Sequence, residues 1–212
     1  MKFRSHVVVT AAVIAMLGLL LAVSPAVADC DPDNALFEDD FEFMDPSWGE
    51  PSDAFFVEDG ALVIKGFAGM ANQLTKNEGA NVCVDMTIAD APVPENSPIG
   101  LVWWWESWEN YYYLFYWADV AYVEVRRVVK GKETNVLSME TLALKKGVGQ
   151  TNQIELKLKP KDVTLVINGT EVKRFKGKQP QGGGQIGVYG SSPEDKPATY
   201  EFDNLIVSPP AE

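Results

Sequence analysis

Between Trp103 and Trp117, ten of fifteen residues are aromatic, and five of the chain's six tryptophans lie in that stretch. Glu124 and Arg126 follow within a few residues. Rings offer flat apolar faces, while a carboxylate and a guanidinium offer hydrogen bonds to hydroxyls, so the set is suited to non-covalent recognition of a flat, hydroxylated ligand. Bond-breaking chemistry has fewer resources. The chain's one histidine is His6. From residue 29 onward there is no Ser-His-Asp or Cys-His nucleophile, no histidine base and no histidine-ligated metal site, which leaves carboxylates, lysines and tyrosines for proton transfer.

The elements that must position these rings are strands. Successive side chains of a strand point to opposite faces, and a sheet covered on one side alternates apolar with polar residues. Here both faces are aromatic. If Ser107 to Asn110 forms a four-residue turn, Trp103, Trp105, Tyr112 and Tyr116 share one face, and Val102, Trp104, Tyr113, Phe115 and Trp117 share the other. The next strand alternates Tyr122, Glu124 and Arg126 with Val123, Val125 and Val129. A three-residue connection at Ala118 to Val120 sets its polar side beside Tyr116 and Tyr112. The predicted groove is then Trp103, Trp105, Tyr112, Tyr116, Tyr122, Glu124 and Arg126, with a sugar as the ligand its composition suits. A one-residue change in the connection swaps the faces. The other readings are an aromatic ribbon packed under protein on both sides, a protein-binding patch, and a Glu124–Arg126 salt bridge of little energetic weight.

The start of the chain reads as a targeting segment. Lys2 and Arg4 precede an uncharged apolar run from Val7 to Val23, and Ala26-Val27-Ala28 is a small-x-small cleavage site, the pattern of a secretory signal peptide over residues 1–28. The apolar run is shorter than the ~20 residues of a spanning helix, so stable membrane insertion after processing is not expected. Residues 29–212 form the predicted mature domain, periplasmic or extracellular. Loss of Lys2, Arg4 and His6 takes the net charge from −12 to −14 and disfavours a nucleic-acid partner. Cys30 and Cys83 are the only cysteines, and in an oxidising compartment they are expected to form a disulfide.

Short alternating runs fill the rest of the chain, broken by turn signals at Asp59-Gly60, Lys130-Gly131, Asn168-Gly169 and Gly182-Gly183-Gly184. Asn168-Gly169, between Leu165-Val166-Ile167 and Thr170-Glu171-Val172, is the strongest hairpin signal. No stretch beyond residue 28 keeps a 3.6-residue apolar period. A dozen short strands in one domain predict an all-β, antiparallel β-sandwich or jelly roll.

Four patches in order resemble the concanavalin A-like (laminin G-like) jelly roll, in particular exported bacterial domains grouped with 3-keto-disaccharide hydrolases and family 16 glucanases. They are Phe37-Glu38-Asp39-Asp40-Phe41 with Trp48, Val57-Glu58-Asp59-Gly60-Ala61-Leu62, Gly100-Leu101-Val102-Trp103 with Asn110-Tyr111-Tyr112, and Gly187-Val188-Tyr189 with Phe202-Asp203-Asn204-Leu205. The resemblance implies a jelly-roll fold and either glycan binding or hydrolase or lyase activity on disaccharides or keto-glycosides. The glucanase motif Glu-x-Asp-x-x-Glu is missing; its nearest approach, Glu106-Ser107-Trp108-Glu109, lacks the middle Asp, which argues against glycosidase chemistry. The resemblance also implies a structural calcium at Asp39, Asp40 and Asp203, since some of these folds build one between first and last strands.

Other features have plainer readings. Between Lys145 and Lys178 nine basic residues face three acids, a spacing typical of lysines guarding exposed strand edges, with a polyanion site as the alternative. The triple-glycine loop precedes a strand and not a helix, which argues against a phosphate cradle. Asn168-Gly169-Thr170 matches a glycosylation acceptor, but the hairpin accounts for it. The favoured reading is an exported, non-catalytic glycan-binding or glycan-associated domain, ahead of the hydrolase or lyase and of a structural or protein-binding envelope domain.

Overall fold

A computed structural model of the chain describes residues 30–210. The signal peptide expected over residues 1–28 lies outside them. Among the described residues no helix is long and apolar enough to cross a membrane.

Fourteen strands are present among the described residues: β1 (Phe37–Asp39), β2 (Phe55–Glu58), β3 (Ala61–Lys65), β4 (Ala68–Ala71), β5 (Ala80–Asp90), β6 (Ile99–Ser107), β7 (Asn110–Tyr116), β8 (Tyr122–Val129), β9 (Lys132–Glu140), β10 (Thr151–Lys159), β11 (Asp162–Ile167), β12 (Thr170–Lys176), β13 (Gln185–Gly190) and β14 (Thr199–Ser208). They make two antiparallel sheets. One runs β12-β11-β10-β5-β14-β3-β2 with β1 added on β14, and the other runs β4-β13-β6-β7-β8-β9. The predicted all-β sandwich is the observed architecture. Only β4, with the sequence Ala-Gly-Met-Ala, was not anticipated, because small residues give no alternating signal.

Turn chemistry sets the hairpin registers. Asp59-Gly60, Lys130-Gly131 and Asn168-Gly169 all have positive φ at both positions, the type I′ geometry that matches the twist of the flanking strands. Asn168 does more than turn the chain. Its side-chain oxygen accepts from the Gln153 backbone N–H, and its amide donates to the Ala143 carbonyl and to Asn152 Oδ1. The side chain is therefore committed to the fold, in line with the hairpin reading of this motif.

The core is the layer between the sheets. Val84, Met86, Leu156 and Leu165 from the larger sheet meet Leu101, Trp103, Leu114, Tyr116, Val123 and Val125 from the smaller one, all buried. Of the polar ends in that contact, Tyr116 donates its hydroxyl to the Met86 carbonyl at 2.6 Å, while the buried Trp103 indole N–H has no hydrogen-bond partner. On the outer face of the larger sheet, a disulfide joins Cys30 to Cys83 on β5, with Cα atoms 6.0 Å apart. Closing a loop of this length removes unfolded-state entropy equivalent to ~4 kcal/mol. Such a bond persists in an oxidising compartment.

Candidate functional site

The register between β7 and β8 decides which rings meet solvent. Tyr116 pairs with Val123, Leu114 with Val125 and Tyr112 with Arg127. This is one residue away from the predicted pairing of Tyr116 with Tyr122, because the connection closes on Val123 and not on the residue before it. The consequence is a change of face. Trp103, Tyr112 and Tyr116 lie in the core, at 0%, 5% and 2% exposure, and cannot line an open groove. Trp103 stacks on Tyr112 with ring centroids 5.7 Å apart. The polar set stays outside as predicted, but Glu124 stands opposite Phe115 and Arg126 opposite Tyr113.

Strand β6 departs from regular alternation at Trp104, whose φ is +50°. Trp103 pairs with Tyr112 and Ser107 with Asn110, so three residues of β6 face the single Tyr111. The bulge turns Trp104 inward beside Trp103, and Trp105 outward with Val102 and Tyr113. It needs room: a Cβ at Gly184 would sit 2.5 Å from the Trp104 Cα. The triple-glycine loop is thus a seat for this bulge.

The outer face of the smaller sheet carries a connected run of rings. Trp105 meets Trp108, Trp108 meets Tyr111, Tyr111 meets Tyr113, Tyr113 meets Phe115, Phe115 meets Trp117 and Trp117 meets Tyr122, with centroids 4.4 to 6.2 Å apart. Tyr189 of β13 packs on Phe115 at 5.2 Å, and Phe67 packs on Tyr189 at 5.5 Å. Trp108 and Phe67 are the exposed members, at 46% and 68%. Tyr189 and Phe67 escaped the sequence reading. The available signal was a pair of glycines: Tyr189 pairs with Gly69 on one side and Gly100 on the other, and a Cβ on either would collide with a ring. Gly100 would press on Phe115 at 2.8 Å, and Gly69 on Tyr189 at 2.9 Å. Small neighbours let the rings lie down on the sheet.

A polar strip flanks the rings. Arg126 donates from Nε to Glu124 Oε2 at 2.7 Å and from Nη1 to Glu133 Oε2 at 2.9 Å. One guanidinium therefore ties two carboxylates beside Tyr113 and Phe115. Burial raises the phenol pKa values of Tyr111 and Tyr189, so both keep their protons and remain hydroxyl donors at neutral pH. Of the predicted groove, Trp105, Tyr122, Glu124 and Arg126 share this face; Trp108, Tyr111, Tyr113, Phe115, Trp117, Tyr189 and Phe67 join them.

The acids expected to hold calcium are otherwise engaged. Asp39 accepts the Phe41 backbone N–H on Oδ1 and the Trp48 indole N–H on Oδ2, which fastens the buried Trp48 under β1. Asp40 accepts from the Glu42 backbone, and Asp203 from the Asn204 backbone. Among the described residues, the only three potential ligands within 4.8 Å of one another are Cys30, Cys83 and Glu155, and both sulfurs are spent in the disulfide. As placed, the carboxylates of Asp39, Asp40 and Asp203 do not form such a group.

No family signature and no curated sequence matches this chain. Its fold does match solved structures. The carbohydrate-binding module CBM66 from Bacillus subtilis aligns with a TM-score of 0.62 at 14% identity, covering 78% of this chain and 99% of that one. The catalytic domain of an endo-1,3-β-glucanase (laminarinase) from Thermotoga petrophila aligns with a TM-score of 0.59 at 10% identity, covering 88% and 100%. A Bacillus subtilis protein of unknown function with a galectin-like fold aligns with a TM-score of 0.63 at 13% identity, covering 82% and 96%. The chain is a concanavalin A-like, galectin-like β-sandwich. At these identities the likeness is one of fold.

Proposed function

We propose that this chain is an exported, non-catalytic glycan-binding domain whose ligand lies along the outer aromatic face of the smaller sheet. The observation that supports this best is the face itself: nine rings in mutual contact, from Trp105 to Phe67, on the side of the sheet turned away from the core. Tyr113 is buried among them, six are half-buried, and Trp108 and Phe67 are exposed, an apolar patch of the kind that something covers in use. Pyranose rings have apolar C–H faces that stack on such rings, and the Glu124–Arg126–Glu133 strip offers donors and acceptors for their hydroxyls. Solved folds like this one include a carbohydrate-binding module and glucanases, which is consistent with a glycan ligand.

The same strip supports a non-catalytic role. Hydrolysis of a glycosidic bond uses two carboxylates, one of them a proton donor. Glu124 and Glu133 are both hydrogen-bonded to Arg126, an arrangement suited to holding shape. The hydrolase or lyase reading keeps one foothold in that pair of acids, and it predicts that Glu124→Gln abolishes turnover.

The test is a glycan array followed by titration of tryptophan fluorescence. Wild type binds at least one oligosaccharide, Trp108→Ala weakens that binding by at least about tenfold, and no reducing ends are released on prolonged incubation. Binding indifferent to both Trp108→Ala and Trp105→Ala would remove the basis for the proposed surface. Retention of a partner protein with no glycan bound would favour the envelope-domain reading.

A further inference from the structure

Beside the aromatic face, at one end of the sandwich, a cleft of about 230 Å³ opens between the β6–β7–β8 strand ends and the loop that follows β12. Its walls include Trp104, Tyr111 and Tyr112, and its charged groups are Arg127, Lys178 and Glu106. The loop is fixed in place, because the Lys178 backbone N–H donates to the Tyr112 hydroxyl at 3.0 Å. Arg127 is fixed as well, standing over the Tyr112 ring at 5.3 Å.

The two neighbouring arginines differ in one respect. Arg126 is held by Glu124 and Glu133, whereas among the described residues no carboxylate lies within 4.0 Å of the Arg127 guanidinium or the Lys178 ammonium. Both belong to cationic segments of an acidic chain. Residues 126–132 contain four basic side chains and no acid, and so do residues 173–178, while the whole chain has a net charge of −12. The two segments meet at this cleft. The cleft sets two cations against one acid, Glu106, and a confined site with a net positive lining concentrates the opposite sign.

We infer that the cleft binds the carboxylate-bearing ring of an acidic glycan, a uronic acid unit, with the carboxylate on Arg127 and Lys178. This deepens the glycan-binding reading and rests on it. A planar guanidinium matches a carboxylate with two parallel hydrogen bonds, and the ammonium adds a point charge. The cleft is smaller than the ~300 Å³ at which drug-sized pockets begin, which restricts it to about one sugar ring. Glu106 and the amides of Gln179 and Gln181 are placed in its lining to take ring hydroxyls. Tyr111 belongs to both surfaces: it lines the cleft and packs on Trp108 and Tyr113 of the outer face at 5.4 and 5.5 Å. A chain stacked along the rings can therefore deliver one acidic unit into the cleft.

The deciding experiment titrates the protein with α-1,4-linked trigalacturonate and with the neutral galactotriose of the same linkage, following tryptophan fluorescence. The trigalacturonate binds at least about tenfold more tightly, Arg127→Gln and Lys178→Gln each erase most of that preference, and binding of the neutral sugar is unchanged by either. Equal affinity for the two sugars overturns the inference and leaves the glycan-binding reading standing. Binding of neither, together with a blank array, overturns both. Because Arg127 packs on Tyr112, a folding defect in Arg127→Gln is covered by Lys178→Gln and by a ligand-side control: trigalacturonate methyl-esterified at its carboxyls must lose the advantage. A sulfated galactotriose that binds more tightly than the uronate would overturn the carboxylate assignment.

Discussion

Trp104 and Gly184 meet backbone to backbone, so closely that a Cβ on Gly184 would lie 2.5 Å from both the Cα and the carbonyl carbon of Trp104. Neither partner has a flexible side-chain end to give way there. Gly184→Ala must push the bulge of β6 off its seat, and with it the outward turn of Trp105. Overpacking of this kind costs about 1–3 kcal/mol or more. For a domain of this size that corresponds to a fall in Tm of roughly 2–12 °C. Thermal unfolding by circular dichroism reads it directly, and a Gly184→Ala protein with unaltered Tm would contradict the packing described for Trp104.

Trp103 and Trp108 make an opposed pair of probes for the register of the aromatic ribbon. Trp103 is fully buried and stacked on Tyr112, whereas Trp108 is 46% exposed at the hairpin tip. Trp103→Ala leaves a cavity in the sandwich and is expected to cost about 3–5 kcal/mol. Trp108→Ala is expected to change stability by less than about 1 kcal/mol, since a surface truncation makes no cavity. Urea denaturation of the two variants separates the effects. Equal losses would mean that the β7–β8 pairing of Tyr116 with Val123 is wrong.

Much of this architecture was legible in the sequence because hairpins write their own signals. Asp59-Gly60, Lys130-Gly131 and Asn168-Gly169 gave three turns, and the alternation of Val123 and Val125 with Glu124 and Arg126 gave the correct sides of β8. The aromatic ribbon was legible in its composition but not by face. On β7, Tyr112 and Tyr116 differ from Tyr113 and Phe115 by parity alone, and aromatic residues on both sides give the pattern no polarity. Parity then depends on the length of the β7–β8 connection, where a shift of one residue moved Tyr112 and Tyr116 to the core. Trp104 was a different difficulty. A positive φ at a tryptophan has no local sequence signal, and its distant partner, Gly184, looked like part of an ordinary glycine-rich loop.

Asp39 illustrates an acid whose role is internal. With Oδ1 on the Phe41 N–H and Oδ2 on the Trp48 indole N–H, both of its oxygens are committed. Asp39→Asn preserves the shape but turns an amide N–H₂ toward one of those donors, leaving it unsatisfied at a cost of about 1–3 kcal/mol. Chelation with EDTA, by contrast, is expected to leave the Tm of the wild-type protein unchanged. A large Tm rise with added calcium, lost in Asp39→Asn, would restore the metal site that the geometry does not support.

Tyr200 contributes to the alkaline limit of stability. It is fully buried on β14, donates its hydroxyl to the Ser191 carbonyl, and burial pushes its pKa up to about 12 from an ordinary value near 10. The unfolded chain therefore loses this proton at lower pH than the folded one. Below pH ~10 the phenol is protonated in both states and its full contribution to stability is present; between ~10 and ~12 the unfolded state is progressively favoured, and the contribution is lost. Denaturant midpoints measured from pH 8 to 12 are expected to fall mainly above pH 10. Tyr200→Phe should start about 1 kcal/mol lower, from the missing hydrogen bond, and decline less steeply over that window. A decline of equal slope in the two proteins would show that other tyrosines, such as Tyr116, carry the alkaline sensitivity.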